Sequence, residues 1–111
     1  MPTPAPLSTA RPDQHPAAMP SHNTYFNGNV QSLGFARHGR KQTVGVIEPG
    51  EYHFGTDAAE RMTVVCGQLL IRIDGQEAWL HYAQGTSFEV PAKSGFSITA
   101  AVPTAYWCEF L

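Results

Sequence analysis

The chain has 111 residues and a formal net charge of −2, with only seven Lys and Arg. That length fits one domain, and without a basic face polynucleotide partners are disfavoured, although one or two placed cations would serve a small anion. The apolar runs fall far short of the ~18 residues of a membrane span, and no basic, apolar leader opens the sequence. The expected partners therefore include neither nucleic acid nor membrane, and the expected compartment is the cytoplasm. Cys66 and Cys108 sit among strand-like apolar residues and read as free, buried structural thiols.

Residues 1–20 carry six of the nine prolines and almost no large apolar side chain. Such a stretch buries too little surface to offset its ordering entropy, so it reads as a disordered tail in which Arg11 and His15 are merely solvated. From Ser21 to Leu111 the texture is that of a single all-β domain. Strands are expected near 29–36, 42–48, 51–55, 61–65, 68–73, 77–82, 86–90, 95–101 and 105–111. Asn27-Gly28, His38-Gly39, Pro49-Gly50, Cys66-Gly67, Asp74-Gly75, Gln84-Gly85 and Pro91 separate them, and Asp74-Gly75 is the clearest hairpin signal. Leu69, Ile71 and Ile73 alternate onto one face, with Leu70 and Arg72 on the other. Short strands of this number solve the edge problem by closing into a small barrel or a two-sheet jelly roll, whose interior would hold a ligand.

Two spacings sharpen this reading. A carboxylate stands six residues before a turn glycine in Glu60-RMTVVC-Gly67, and a glycine precedes a proline across five residues in Gly85-TSFEV-Pro91. The pair resembles the two-part cupin signature, which implies a jelly-roll β-barrel. Metal-binding cupins add a His-x-His shortly before the glutamate and a histidine after the proline. Here those places hold Phe54 and Thr56, or His53 and Gly55 with a gap one residue longer, and Phe96. A phenyl ring cannot ligate a metal, so no metal site is expected. His15, His22, His38, His53 and His81 show no spacing that rebuilds one. For His53 a ligand role stands against an outward or loop position.

The likeness extends beyond the superfamily. Asn23-x-Tyr25-Phe26-x-Gly28-x-Val30-x-Ser32-x-Gly34-Phe35, Val44-Gly45-Val46, Gly50-Glu51-Tyr52-x-Phe54-x-Thr56, Glu60-x-Met62-Thr63-Val64-x-x-Gly67, Gly85-x-x-Phe88-x-Val90-Pro91-x-x-Ser94-x-Phe96 and Pro103-Thr104-x-Tyr106-x-Cys108-x-x-Leu111 run in register to the C-terminus. Over that span the chain resembles the pyrimidine/purine nucleoside phosphorylases of cupin fold. The resemblance implies a metal-free homodimer, with inorganic phosphate as co-substrate and no other cofactor. It would cleave many nucleosides reversibly to free base and ribose 1-phosphate (2-deoxyribose 1-phosphate from thymidine): uridine, cytidine, thymidine, adenosine, guanosine, inosine and xanthosine. The proline-rich extension is outside the pattern, and the basic position before the second strand is shared between Arg40 and Lys41.

Chemistry nominates the site. Phosphorolysis of an N-glycosidic bond builds positive charge on the sugar, which a carboxylate stabilises, and phosphate needs cations, hydroxyls or N–H groups. Glu60, in the cupin carboxylate position, points inward with Met62 and Val64 and is the first candidate; Glu51 is the second. Each could instead be a solvated glutamate at a strand start or turn. Arg40, Lys41 and Lys93 are the phosphate candidates against a default of surface cations, and Thr56, Thr63 and Ser94 could add hydroxyls. Tyr52, Phe54, Phe96 and Tyr106 would form an aromatic wall that stacks bases of different shape, or else belong to the core. A metal-free cupin that binds a small metabolite without turnover remains the alternative, and a metal-dependent dioxygenase or isomerase is weakened by Phe54 and Phe96.

Overall fold

The computed structural model describes residues 19–111. The proline-rich stretch, with Arg11 and His15, lies outside the described residues apart from its last two positions.

Ten strands follow one another: β1 (Ser21–Tyr25), β2 (Val30–Arg37), β3 (Arg40–Ile47), β4 (Gly50–Thr56), β5 (Glu60–Cys66), β6 (Gln68–Ile73), β7 (Leu80–Ala83), β8 (Ser87–Val90), β9 (Ser94–Ala100) and β10 (Thr104–Phe110). They form a six-stranded sheet in the order β1-β2-β3-β10-β5-β8 and a four-stranded sheet in the order β4-β9-β6-β7. From β3 onward the chain passes back and forth between the two, which is the jelly-roll arrangement. Among the described residues no helix is long and apolar enough to cross a membrane.

Alternation builds the core. Val30, Ile47, Met62, Val64, Leu69, Ile71, Val90, Phe96 and Ile98 come from the inward positions of both sheets and are nearly completely buried. Leu70 and Arg72 face solvent from the opposite side of β6.

Strand β1 was invisible to periodicity because SHNTY has no apolar alternation. It is a polar edge strand held by its ladder to β2, with His22 Nε2 3.0 Å from Gln31 Oε1 and Asn23 donating to Ser32 Oγ at 3.4 Å. The tight hairpin lies at His38-Gly39, where both residues take left-handed angles (φ 54° and 73°) and Arg37 pairs with Arg40. Asp74-Gly75 does turn the chain, but β7 resumes only at Leu80. The Asp74 N–H donates to Gly95 O at 3.0 Å and its carboxylate meets His53 Nε2 at 2.9 Å, so the turn is tied to β9 and β4 before β7 can form.

The two signature spacings mark corners. Gly67 (φ 95°) lets β5 cross into β6 against Pro103 O and the Thr104 side chain, which leave no room for a Cβ. Thr104 Oγ1, fully buried, accepts from Gln68 N–H at 3.2 Å and shares its proton between the carbonyls of Gln68 and Val102. At the second corner the Gly85 N–H donates to Val64 O at 2.7 Å, and Thr56 Oγ1 donates to Pro91 O at 2.7 Å. Glu60 pairs with Val90 within the six-stranded sheet, and the Thr56 bond ties Pro91 to the end of β4 in the other.

A register shift between Ala105 and Tyr106, where β10 meets β5, leaves Val65 without a partner in the ladder, and Cys66 beyond it is exposed, so only Cys108 is the buried thiol expected of both.

Candidate functional site

A cavity of about 480 Å³ lies between the sheets, with a floor of Val30, Ile47, Met62 and Ile98. Its mouth is marked by the exposed lining residues Tyr25, Lys41, Asp57 and Ala58. Aromatic rings make its walls: Phe54 and Phe96 are stacked with centroids 6.0 Å apart, and Tyr25 meets Phe54 edge-on at 5.6 Å. Tyr106 and Phe110 complete them from β10.

Polar groups interrupt this apolar lining at a few points. Glu60 opens β5 and is half-buried. Burial raises its pKa above the ordinary carboxylate value, opposed by a hydrogen bond from Cys108 and by the charge of Lys41. The Cys108 thiol donates to Glu60 Oε1 at 3.4 Å. Burial, and then the neighbouring carboxylate, push that thiol up, so it stays protonated. Burial likewise lifts Tyr106 to about 12, partly offset by its hydrogen bond with Ser32, and its phenol remains a neutral donor. Lys41 Nζ stands 5.0 Å from the centre of the Phe110 ring.

Of the residues nominated from sequence, the cavity brings together Glu60, Lys41, Phe54, Phe96 and Tyr106. The others lie elsewhere. Glu51 is exposed on the outward side of β4, and Arg40 is exposed at the β2–β3 hairpin. Thr56 is buried and occupied, donating to Pro91 O and accepting from the Ser94 N–H at 3.0 Å. Thr63 Oγ1 meets Ser87 Oγ at 2.7 Å away from the cavity. Lys93 sits in the turn before β9, its N–H on Asp57 O at 3.3 Å. Tyr52 is buried, with its hydroxyl on Glu48 O at 2.8 Å and its ring against Phe26. His53 faces outward onto Asp74, and among the described residues no three His, Cys, Asp or Glu side chains gather as metal ligands.

The lining also contains residues that sequence reasoning passed over: Tyr25, Ser32, Thr43 and Asp57. Tyr25 reaches the mouth because Phe26 and Asn27 both take left-handed angles (φ 52° and 57°), a conformation rare for phenylalanine. The Phe26 ring, packed 5.4 Å from Phe54, holds the bend in place. Asn27-Gly28 marked a turn there, but not which ring it would carry. The choice between Arg40 and Lys41 did have a signal. Lys41, Thr43, Gly45 and Ile47 share one parity along β3, and Ile47 is in the core.

Residues 20–110 match the family described as "Pyrimidine/purine nucleoside phosphorylase". A protein of that name from Sorangium cellulosum is 66% identical over 93 residues, covering 84% of this chain and all of its own. One from Vibrio vulnificus is 54% identical with the same coverage. The chain belongs to the pyrimidine/purine nucleoside phosphorylase family. A Vibrio parahaemolyticus structure described as of unknown function superimposes with a TM-score of 0.83 at 49% identity, over 85% of this chain and all of its own. An RmlC-like cupin from Shewanella frigidimarina gives 0.64 at 17% identity, over 83% and 92%. The second likeness shows the cupin fold.

In this family member Glu60 carries a cost that can be measured. Its raised pKa means that the folded protein holds the proton more tightly than the unfolded chain does. Stability from this group is therefore fully present below the ordinary carboxylate range and falls as pH rises through Glu60's own higher value. Glu60→Gln removes the charged form, so its melting temperature should exceed wild type at pH 7, with the gain shrinking to nothing below the ordinary carboxylate range. Thermal denaturation across pH checks this; a variant less stable at pH 7 than at pH 4, relative to wild type, would contradict it.

Proposed function

We propose that this protein is a broad-specificity nucleoside phosphorylase, a pentosyltransferase that uses the interior cavity as its active site. The observation that carries the reading is a half-buried carboxylate, Glu60, in a largely aromatic and apolar cavity whose mouth carries the cation Lys41 as well as the exposed Asp57. In the reaction a phosphate oxygen forms a bond to the anomeric carbon as the N-glycosidic bond breaks. The bonding pair leaves with the base, which takes up a proton.

Glu60 stabilises the positive charge that develops on the sugar, in a medium where that charge is poorly screened. Lys41 holds phosphate, and the neutral Tyr106 phenol donates to a sugar or phosphate oxygen. Tyr25, Phe54 and Phe96 stack the base by its face. Edge recognition is not needed, so purine and pyrimidine nucleosides are both accepted, from uridine, cytidine and thymidine to adenosine, guanosine, inosine and xanthosine. The reaction is reversible, needs no metal and takes place in the cytoplasm.

Base release from uridine and inosine should depend wholly on phosphate, yield ribose 1-phosphate and survive exhaustive chelation. Glu60→Gln should lower turnover about 100-fold, roughly 3 kcal/mol of lost transition-state stabilisation. Lys41→Met should raise the KM for phosphate, and Arg40→Met should not. Release without phosphate would indicate a hydrolase, and no release would indicate a binding protein.

The protein acts as a homodimer in this reading, through the outer face of the six-stranded sheet. Leu33, Val44, Val46 and Val65 are exposed there around a groove of about 640 Å³ whose ionisable lining residues are His22, Glu48 and the neutral Tyr106 phenol. A face with this little charge suits an isologous contact with its own copy. The wall is one sheet thick, so Ser32 and Tyr106 back both groove and cavity, and the partner would buttress Tyr106. Sedimentation should give a dimer for wild type and a monomer for the doubly charged Leu33→Lys, Val46→Lys variant. A wild-type monomer would contradict the assignment.

A further inference from the structure

Glu60 does not stand alone. Cys108 lies on β10 between two neighbours, paired in register with Thr43 of β3 on one side and Met62 of β5 on the other. Its thiol is buried and donates to Oε1 of Glu60 at 3.4 Å. The hydrogen bond runs from β10 to its neighbour β5 on the inner face of the sheet. Among the described residues no hydrogen-bond donor reaches Oε2. A carboxylate at the first residue of a strand has freedom about its side-chain torsions, and one fixed oxygen removes most of it.

We propose that Cys108 is a positioning residue, whose buried thiol fixes Oε1 of Glu60 so that Oε2 is turned to the ribose. This rests on the reading that Glu60 contacts the sugar. A thiol suits the place. As a weak donor on a short side chain it tolerates apolar surroundings, and the same burial that keeps it protonated stops it from competing with the substrate as a nucleophile. Other titratable groups around the cavity are Lys41 from β3, Asp57 from the β4–β5 connection, Tyr25 from β1 and Tyr106 from β10. Arg61, next to Glu60 on β5, instead meets Glu89 at 3.3 Å and Glu109 at 3.6 Å.

The thiol favours the charged carboxylate, so its removal makes Glu60 easier to protonate. The test uses full-length protein with carboxyl-labelled glutamate, as wild type, Cys108→Ala and Cys108→Ser. The Glu60 carboxyl signal is titrated by NMR, and kcat is followed against pH on the same samples. In Cys108→Ala both the Glu60 titration and the acid limb of kcat should move to higher pH. At the optimum kcat should fall about tenfold, the scale of one lost hydrogen bond to a charged group, with the KM for phosphate unchanged. Cys108→Ser keeps a donor at the same point and should restore both. A Glu60 titration unmoved in Cys108→Ala overturns the proposal, whatever the activity does. A titration that moves while the acid limb stays in place refutes instead the reading of Glu60 as the sugar's carboxylate.

Discussion

Taking a carboxylate half out of water is the physical constraint on which this barrel turns. An ionised group in such a place persists only with compensation, and Glu60 has two sources: a hydrogen bond from a buried thiol and the charge of Lys41. Both partners come from strands that neighbour β5 or lie one further along the sheet, β10 and β3. The compensation is incomplete, since burial still dominates and leaves the carboxylate easier to protonate than in water. That residual imbalance is what a developing positive charge on a sugar would relieve. A fully satisfied ion pair at this point would be more stable and less useful.

The rest of the fold serves to hold that carboxylate in place. Gly67 and Thr104 lock the end of β5 against the β9–β10 connection, so the strand cannot slide relative to β10. A slip of one residue would turn Glu60 to solvent and Arg61 into the cavity. Thr56, which carries a hydroxyl of the kind phosphate binding needs, is spent on this scaffold: it ties the end of β4 to Pro91 and Ser94 beside the mouth. Phe26, in its rare backbone conformation, likewise holds Phe54 and brings Tyr25 to the rim. Rigidity of the frame and exposure of the rim therefore go together.

Much of this was legible in the sequence, for reasons that differ from residue to residue. The spacing of Glu60 to Gly67 is readable through its resemblance to the cupin signature, and Gly67 has a physical reason as well, the left-handed corner at which β5 crosses into β6. Phe54, Phe96 and Tyr106 followed from period-2 alternation within apolar strands. Strand β1 was not readable, because an exposed edge strand is specified by hydrogen bonds to β2 and not by apolar side chains. Its contribution, Tyr25, was missed with it. Cys108 was read as a buried thiol correctly, but what it touches depends on the β3–β10–β5 register, which no local pattern encodes. Asp74-Gly75 does turn the chain between the antiparallel β6 and β7, but the start of β7 at Leu80 was not readable for a similar reason, since the contacts of Asp74 to Gly95 and His53 come from strands distant in sequence.

The central claim is that substrate binds inside the barrel, beneath Glu60, and not on the outer face of the same sheet. Methyl-labelled protein titrated with ribose 1-phosphate tests it most directly, because the two faces carry different methyl groups. The methyl signals of Met62 and Ile98, which line the cavity, should shift and saturate together, while those of Leu33, Val44 and Val65, which line the outer groove, stay in place. Shifts confined to the outer three, with Met62 and Ile98 unmoved at saturation, would contradict the account.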